Sequence, residues 1–371
     1  MRNALNLKVL YSVCVRFSFI MMTIIKTTIC ALSASLLFAC GSVQTNRDTT
    51  TARAHAANDP LLDTIISTAD GQPLEPAQLY DSMAGVQVVY LGEIHENQRH
   101  HELQLQALQT LLDLNIRPAL GFEFFSVEQT GYLMNFVDNE AVHGKQADDE
   151  QAEKKLREKL NWGQRRDEEW SYYFPLLKLA KEYELKVFGT DLPDSLKRRI
   201  SRSGVAGLTA VEKRLLHSTG FDDPVYRQYM EQTLVDAHCG WNDPTLIGNL
   251  YETWLQRNDT MAQSIAAMAK TGQAVLMIIG AGHTRHNLAV IERVNHILPG
   301  VRQFNLGYQE LALEPQAADD YYQTQKIADR QLAPSHDYLW FTPRSSFEDP
   351  CDRFKIQLQK HKVDKSPDSG E

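Results

Sequence analysis

The chain has 371 residues, 43% hydrophobic and 23% charged, and its composition is globular from Asp59 to about Pro343, a length that suits one large domain although length alone would allow two. The formal net charge of −9 argues against a polyanion such as nucleic acid as a partner. Beyond residue 40 no apolar run approaches the roughly 18 residues a membrane-spanning helix needs, so a water-soluble body is expected.

Residues 1–39 carry Arg2, Lys8, Arg16 and Lys26 but no acidic residue, and from Thr23 they run apolar through Ile24, Leu32, Leu36 and Phe38, as a secretory leader does. Translation could start at Met1, Met21 or Met22. The leader ends in Leu37-Phe38-Ala39-Cys40-Gly41, which resembles the lipobox of bacterial lipoproteins, where the cysteine is acylated and becomes the new N-terminus. That resemblance implies lipid attachment, palmitate among the acyl chains, at Cys40. Gly41 is not the aspartate that retains such proteins at the inner membrane, so the expected location is the outer membrane, lipid-anchored and facing the periplasm. Removing the basic leader leaves the body more acidic still. Residues 40–58 hold almost nothing to bury and read as a tether. Of the cysteines, Cys14 and Cys30 leave with the leader and Cys40 takes lipid. Cys239 and Cys351 remain; they could pair in an oxidising compartment but make no disulfide framework.

The first strong element is the apolar, branched run Val86–Leu91. A helix follows over 100–115, with Leu105, Leu108 and Leu112 on one face and glutamines on the other. Ala119–Phe122 is a second apolar run, and residues 126–220 read as a helical insertion or cap, too long for one crossover, within which Lys186–Phe188 is a third run. Trp254, Met261, Ile265 and Met268 form a helical stripe ending before Gly272, placed as a C-terminal cap. Ala274–Ile279 is the fourth run, and residues 344–371 form a tail. Uniformly apolar strands alternating with amphipathic helices predict an α/β fold, a mostly parallel central sheet with helices on both faces.

Every run ends in polar residues. Val88-Val89-Tyr90-Leu91 leads into Gly92-Glu93-Ile94-His95, Leu120-Gly121-Phe122 into Glu123, Val187-Phe188-Gly189-Thr190 into Asp191, and Leu276-Met277-Ile278-Ile279 into Gly280-Ala281-Gly282-His283. In an open α/β sheet the ligand crevice lies outside the carboxyl ends of the strands, so four separate segments bring Glu93, His95, Glu123, Asp191 and His283 to one edge. Any one of these acids alone reads more simply as a helix cap or turn residue. As a set, with each histidine following Gly-x-x, they read as a site. His100 and His101 open the first helix, where one could face the crevice or both the surface. His238 and Cys239 are adjacent on a helix and point apart, which favours packing over a metal pair.

At these residues the sequence resembles the ChaN family of haem-binding uptake lipoproteins, within the superfamily that holds Tiki-type proteases and erythromycin-esterase-like proteins. The matching pieces are Leu91-Gly92-Glu93-Ile94-His95-Glu96-Asn97 with His100-His101, Gly121-Phe122-Glu123-Phe124-Phe125, Trp170 with Tyr173-Phe174-Pro175, His238-Cys239-Gly240, Asp259-Thr260-Met261-Ala262 and Gly280-Ala281-Gly282-His283-Thr284-Arg285. They span about Asp59 to Tyr308. The chain departs at Asp191, where relatives tend to have asparagine, and at Asn287-Leu288-Ala289-Val290, which stands in place of the usual Gly-Val-Pro.

Family members hold haem with a tyrosine axial ligand at a dimer interface. The resemblance therefore implies haem as cofactor, a homodimer, a role in haem or iron uptake beside an outer-membrane haem receptor, and binding rather than catalysis. Tyr173, in the Trp170 and Tyr-x-Pro match, is the expected iron ligand, in a pocket at the strand ends lined by His95, His283 and Arg285. Arg165, Arg166 and Arg285 could favour the phenolate or pair with the propionates. The alternative is a metal-dependent hydrolase. His95 and His283 with Glu93 or Glu123 would then give zinc or manganese three ligands and leave one position open for water. Neither Gly-x-Ser-x-Gly nor His-Glu-x-x-His occurs. A third reading is a scaffold whose strand-end polar groups bond only one another.

Overall fold

A computed structural model describes residues 56–138, 149–163, 167–221, 224–349 and 351–352. The leader, Cys40, most of the tether, Arg165, Arg166 and the tail beyond residue 352 lie outside the described residues. In chain order the elements are the hairpin β1 (Ile65–Ser67) and β2 (Pro73–Leu74), α1 (Pro76–Ala84), β3 (Val88–Glu93), α2 (Gln98–Asp113), β4 (Ala119–Ser126), α3 (Thr130–Val137), α4 (Asp149–Lys159), α5 (Asp167–Glu182) and β5 (Val187–Asp191). After them come α6 (Asp194–Ser203), α7 (Ala210–Lys213), α8 (Pro224–Ala237), α9 (Pro244–Ala269), β6 (Val275–Gly280), α10 (Val290–Ile297), β7 (Gln303–Glu310), the short pair β8 (Lys326–Ile327) and β9 (Arg330–Gln331), and β10 (Tyr338–Thr342).

The strand alternation explains the uniform apolar runs. Val89 and Leu91 of β3, Leu120 and Phe122 of β4, and Leu276 and Ile278 of β6 join one core cluster with α1, α2 and α5, whereas Val88, Tyr90, Ala119, Val275, Met277 and Ile279 join another with α9 and α10. Successive side chains point to opposite faces, and both faces are covered, so every position is apolar. The strand order is β2-β1-β10-β7-β3-β6-β4-β5. From β10 to β5 all neighbours are parallel, and only the β1–β2 and β1–β10 pairs at one edge are antiparallel. The fold is thus the expected α/β class.

Three details differ from the sequence reading. β7 carries no apolar run, since Gln303, Asn305, Gly307 and Gln309 interrupt it, and β10, with a short apolar run at residues 338–341, is a further parallel strand that the sequence reading does not include. The segment read as one insertion is divided by β5, so α3, α4 and α5 are the β4–β5 crossover and α6 begins the next connection. In α2 the buried face is His100, His101, Leu103, Gln104, Ala107, Leu108, Leu111 and Leu112, so Gln104 turns inward and Leu105 is only half-buried. Gln104 can be buried because a carboxylate and a carbonyl await its amide.

Cys239, in the turn after α8, is disulfide-bonded to Cys351, 112 residues away, with Cα atoms 5.5 Å apart. A cross-link over a loop this long restricts the unfolded chain strongly, and removing a native bond typically costs about 2–5 kcal/mol. Cys239→Ser is therefore expected to lower the urea midpoint under oxidising conditions, and a reductant should lower the wild type to the same value. An unchanged midpoint in the variant would show that the bond does not stabilise the fold. Among the described residues no helix is long and apolar enough to cross a membrane.

Candidate functional site

Parallel pairing brings the ends of β3, β6, β4 and β5 side by side, with Glu93 in register with Gly280. Glu93, His95, Glu123, Asp191 and His283 therefore lie at one sheet edge, as the strand-end pattern implies. They fall into two groups on opposite faces, which His95 links. Glu93 continues the β3 face of Val89 and Leu91 and points to α2 and α5, whereas Glu123 follows Phe122 by one residue and points to α9.

The Glu93 carboxylate is fully buried. Its Oε1 accepts from Tyr173 Oη at 2.6 Å and His95 Nδ1 at 3.0 Å, and its Oε2 accepts from Gln104 Nε2 at 2.5 Å and lies 3.3 Å from His101 Nδ1. Burial alone would raise its pKa, but His101, His95 and Tyr173 outweigh burial and hold it below the usual carboxylate range. Glu123 is served from the opposite face. Arg257 Nη2 reaches Oε1 at 2.6 Å, His283 Nε2 lies 3.2 Å from the same oxygen, and the Gly280 N–H donates to Oε2 at 2.6 Å. Burial again works to raise the pKa, and His283, Arg257 and His95 together hold it well below the usual range. Arg257 also donates to Asp191, which Lys197 meets at 2.6 Å.

His95 joins the two groups. Its side chain is 48% exposed, its Nδ1 is tied to Glu93, and its ring lies over Gly280 and edge-on to Phe124 at 4.7 Å. A Cβ on Gly280 would come 2.7 Å from His95 Cε1 and 3.1 Å from Glu123 Oε2, so glycine is what lets the ring lie there. Burial pulls the His95 pKa down, but Glu93 and Glu123 prevail and raise it. His283 behaves oppositely: burial pushes its pKa down despite Glu123, with Nδ1 held by Asn258 Oδ1 at 2.7 Å and the ring stacked on Trp254. Among the described residues no three His, Cys, Asp or Glu side chains are grouped to hold a metal ion. Of the three ligands expected, Glu123 and His283 pair with each other while the Nδ1 of His95 is tied to Glu93.

His100 and His101 are both buried, because Asn97 caps α2 and turns its first helical turn inward. His100 accepts from the Ile94 N–H at 2.9 Å and meets Thr342 Oγ1 at 2.8 Å, and burial pushes its pKa down to about 3, so it is neutral. Arg285 is exposed in the loop after β6, beside His286 and His336, and does not line the groove described next.

A groove of about 860 Å³ runs between α2 and α5, floored by Leu105, Trp170, Phe174, Pro175 and Leu179, with Lys178 among its rim residues. It shares Glu102, Leu105, Ser171 and Pro175 with a recess of about 220 Å³ lined by His101 and Tyr172. Tyr173, the tyrosine singled out in the sequence, is 1% exposed and faces inward, its hydroxyl on Glu93; burial first and then the Glu93 charge push its pKa far up. Tyr172 is half-buried and faces the recess, its hydroxyl donating to Glu168 Oε1 at 2.8 Å. Nothing in the sequence distinguishes the two: adjacent helical residues differ by about 100° in direction, and only the packing of α5 decides which turns outward. Arg257 left no motif-like signal because its partner Glu123 is 134 residues away; Gln104 reads as one of the polar glutamines of α2, and Asn258 as an ordinary helix residue.

A family model described as haem-binding uptake, Tiki superfamily, ChaN matches residues 79–294. Among solved structures the chain is similar to ChaN of Campylobacter jejuni, described by its cofacial haem binding, with 17% identity over 74% of this chain and 95% of that one and a TM-score of 0.54. It is more distantly similar to an erythromycin esterase mutant in its open conformation, with 10% identity over 78% of this chain and 99% of that one and a TM-score of 0.43. The first likeness shows the shared fold. No curated protein matches the sequence.

Proposed function

The chain belongs to the ChaN-type haem-binding uptake family of the Tiki superfamily, and we propose that it binds haem in the groove between α2 and α5, with the Tyr172 hydroxyl as iron ligand. The observation that carries this reading is a phenol lining a recess that shares Glu102, Leu105, Ser171 and Pro175 with an apolar-floored groove. The residues fit the group. A macrocycle needs a wide apolar surface, which Leu105, Trp170, Phe174, Pro175 and Leu179 supply, and the volume falls within the roughly 300–1,000 Å³ of cofactor sites. Tyrosine is an established axial ligand of haem iron. Lys178 is the basic residue on the rim for a propionate, while Glu102, Glu153, Asp167 and Glu182 make the remaining rim acidic. Bound haem supplies the iron and its axial coordination; the chain supplies the ligand, the apolar floor and the exclusion of water. Tyr173, beneath Tyr172, holds Glu93 rather than facing the groove.

Adding ferric haem to the purified full chain is expected to give a stoichiometric complex with a high-spin tyrosinate spectrum. Absence of any such complex would end the reading. The metal-dependent hydrolase gains nothing from the geometry, because Glu93 and Glu123 each have both oxygens engaged by protein donors.

The place of action follows from Cys40 as lipid-bearing N-terminus, on the periplasmic side of the outer membrane, with a second copy of the chain and an outer-membrane haem receptor as partners. The basic, apolar leader before Cys40 and the Cys239–Cys351 bond support export into an oxidising compartment. Mass spectrometry should find an acylated Cys40, and Cys40→Ala should move the protein to the soluble fraction; a variant that stays wholly with membranes would place the anchor elsewhere.

A further inference from the structure

We infer that His101 is the positioning residue for Tyr172: it holds the phenol ring in the orientation it takes at the recess that adjoins the groove. This rests on the haem reading above. The His101 side chain is 3% exposed and its ring is immobilised from several directions. Nδ1 faces Gln104 Oε1 at 3.1 Å and Glu93 Oε2 at 3.3 Å, Nε2 faces the His95 carbonyl at 3.0 Å, and Tyr173 meets the ring edge-on at 5.0 Å. Glu93 ends β3 and His95 follows it by two residues, so the ring is referred to the sheet edge rather than to its own helix.

Tyr172 lies flat on that fixed ring. The centroids are 4.4 Å apart and the planes 10° from parallel. A tyrosine on a helix surface ordinarily exchanges between staggered side-chain rotamers, and a ligand atom that wanders must be ordered when its partner arrives. Here the ring face is set by His101 and the hydroxyl by Glu168, at opposite parts of the same side chain. The two contacts come from α2 and from one turn earlier on α5, so the phenol is ordered across the two walls of the groove. Pre-organisation of this kind raises affinity by removing an ordering cost before binding. His101 does not touch the iron in this arrangement; it acts through Tyr172.

The test uses the full chain and haem, with His101→Phe and His101→Leu compared by dissociation constant and by ferric spectrum. Phenylalanine keeps a flat ring beneath Tyr172, whereas leucine fills similar volume without one. Leucine is expected to weaken haem binding about tenfold, the scale of one immobilised side chain, and to broaden or shift the tyrosinate band. Phenylalanine is expected to stay near wild type in both. Thermal melts of the two haem-free variants should agree, since both lose the same hydrogen bonds. If both variants bind and absorb as the wild type does, or if both are weakened equally, His101 does not position the ligand. If Tyr172→Phe also keeps wild-type affinity and spectrum, it is the ligand assignment that has failed, a result independent of His101.

Discussion

Tyr172→Phe is expected to abolish the tyrosinate spectrum of the haem-loaded chain and to weaken haem binding by more than the roughly 10–100-fold that outer-shell changes cost at metal sites. The substitution removes only the oxygen, which donates to Glu168 beside the recess that Tyr172 lines. The ring remains to stack on His101, so the loss should be confined to the axial bond. Tyr173→Phe makes the contrast. Its hydroxyl is one of several donors to Glu93, so that variant should lose about 1–2 kcal/mol of stability and keep the spectrum. The reverse result, with Tyr173→Phe erasing the band and Tyr172→Phe sparing it, would return the iron to Tyr173 and require its side chain to leave Glu93.

Arg293→Met is expected to cost the most stability of any single substitution considered, about 3–5 kcal/mol, because it strips a buried ion pair of one partner. Arg293 lies in α10 with no exposed surface. Its Nε donates to Asp259 at 2.8 Å, its Nη1 to the Ala289 carbonyl at 2.8 Å and its Nη2 to the Phe221 carbonyl at 2.8 Å. Methionine fills the volume and satisfies none of these acceptors. The bond to Ala289 also matters locally, since His286, Asn287 and Ala289 all hold positive φ in the loop after β6, a conformation that persists only where the surroundings over-determine it. This is the stretch where Asn287-Leu288-Ala289-Val290 departs from the family pattern. Urea unfolding of the variant should show a clear fall in midpoint, and Asp259→Asn combined with Arg293→Met should recover part of it by removing the stranded charge. A midpoint within about 1 kcal/mol of wild type would mean that the network is not a stabilising one.

The course of the sheet was legible in the sequence where strands are covered on both faces. Val88–Glu93, Val187–Asp191 and Val275–Gly280 are buried throughout and Ala119–Ser126 at every position but Phe124, and such strands leave unbroken apolar runs. β7 escaped notice because Asn305 and Gly307 meet loop residues rather than a helix: Asn305 donates to the Thr284 carbonyl and to Asn287, and Gly307 makes room for His336.

The sequence by itself determined which strand ends carry acids and histidines, since parallel strands separated by helices must bring their carboxyl ends to one edge. It determined the glycine at position 280, on which His95 rests. Tertiary structure alone decided what those groups do. Whether a strand-end carboxylate faces α5 or α9 depends on a shift of one residue, which puts Glu93 on one face and Glu123 on the other. Their partners come from 80 residues away for Tyr173 and 134 for Arg257, distances over which no local pattern survives. The choice between Tyr172 and Tyr173 was decided in the same way. Both sit beside the same motif residues, and the docking of α5 against α2 buries one hydroxyl on a carboxylate and leaves the other facing the recess.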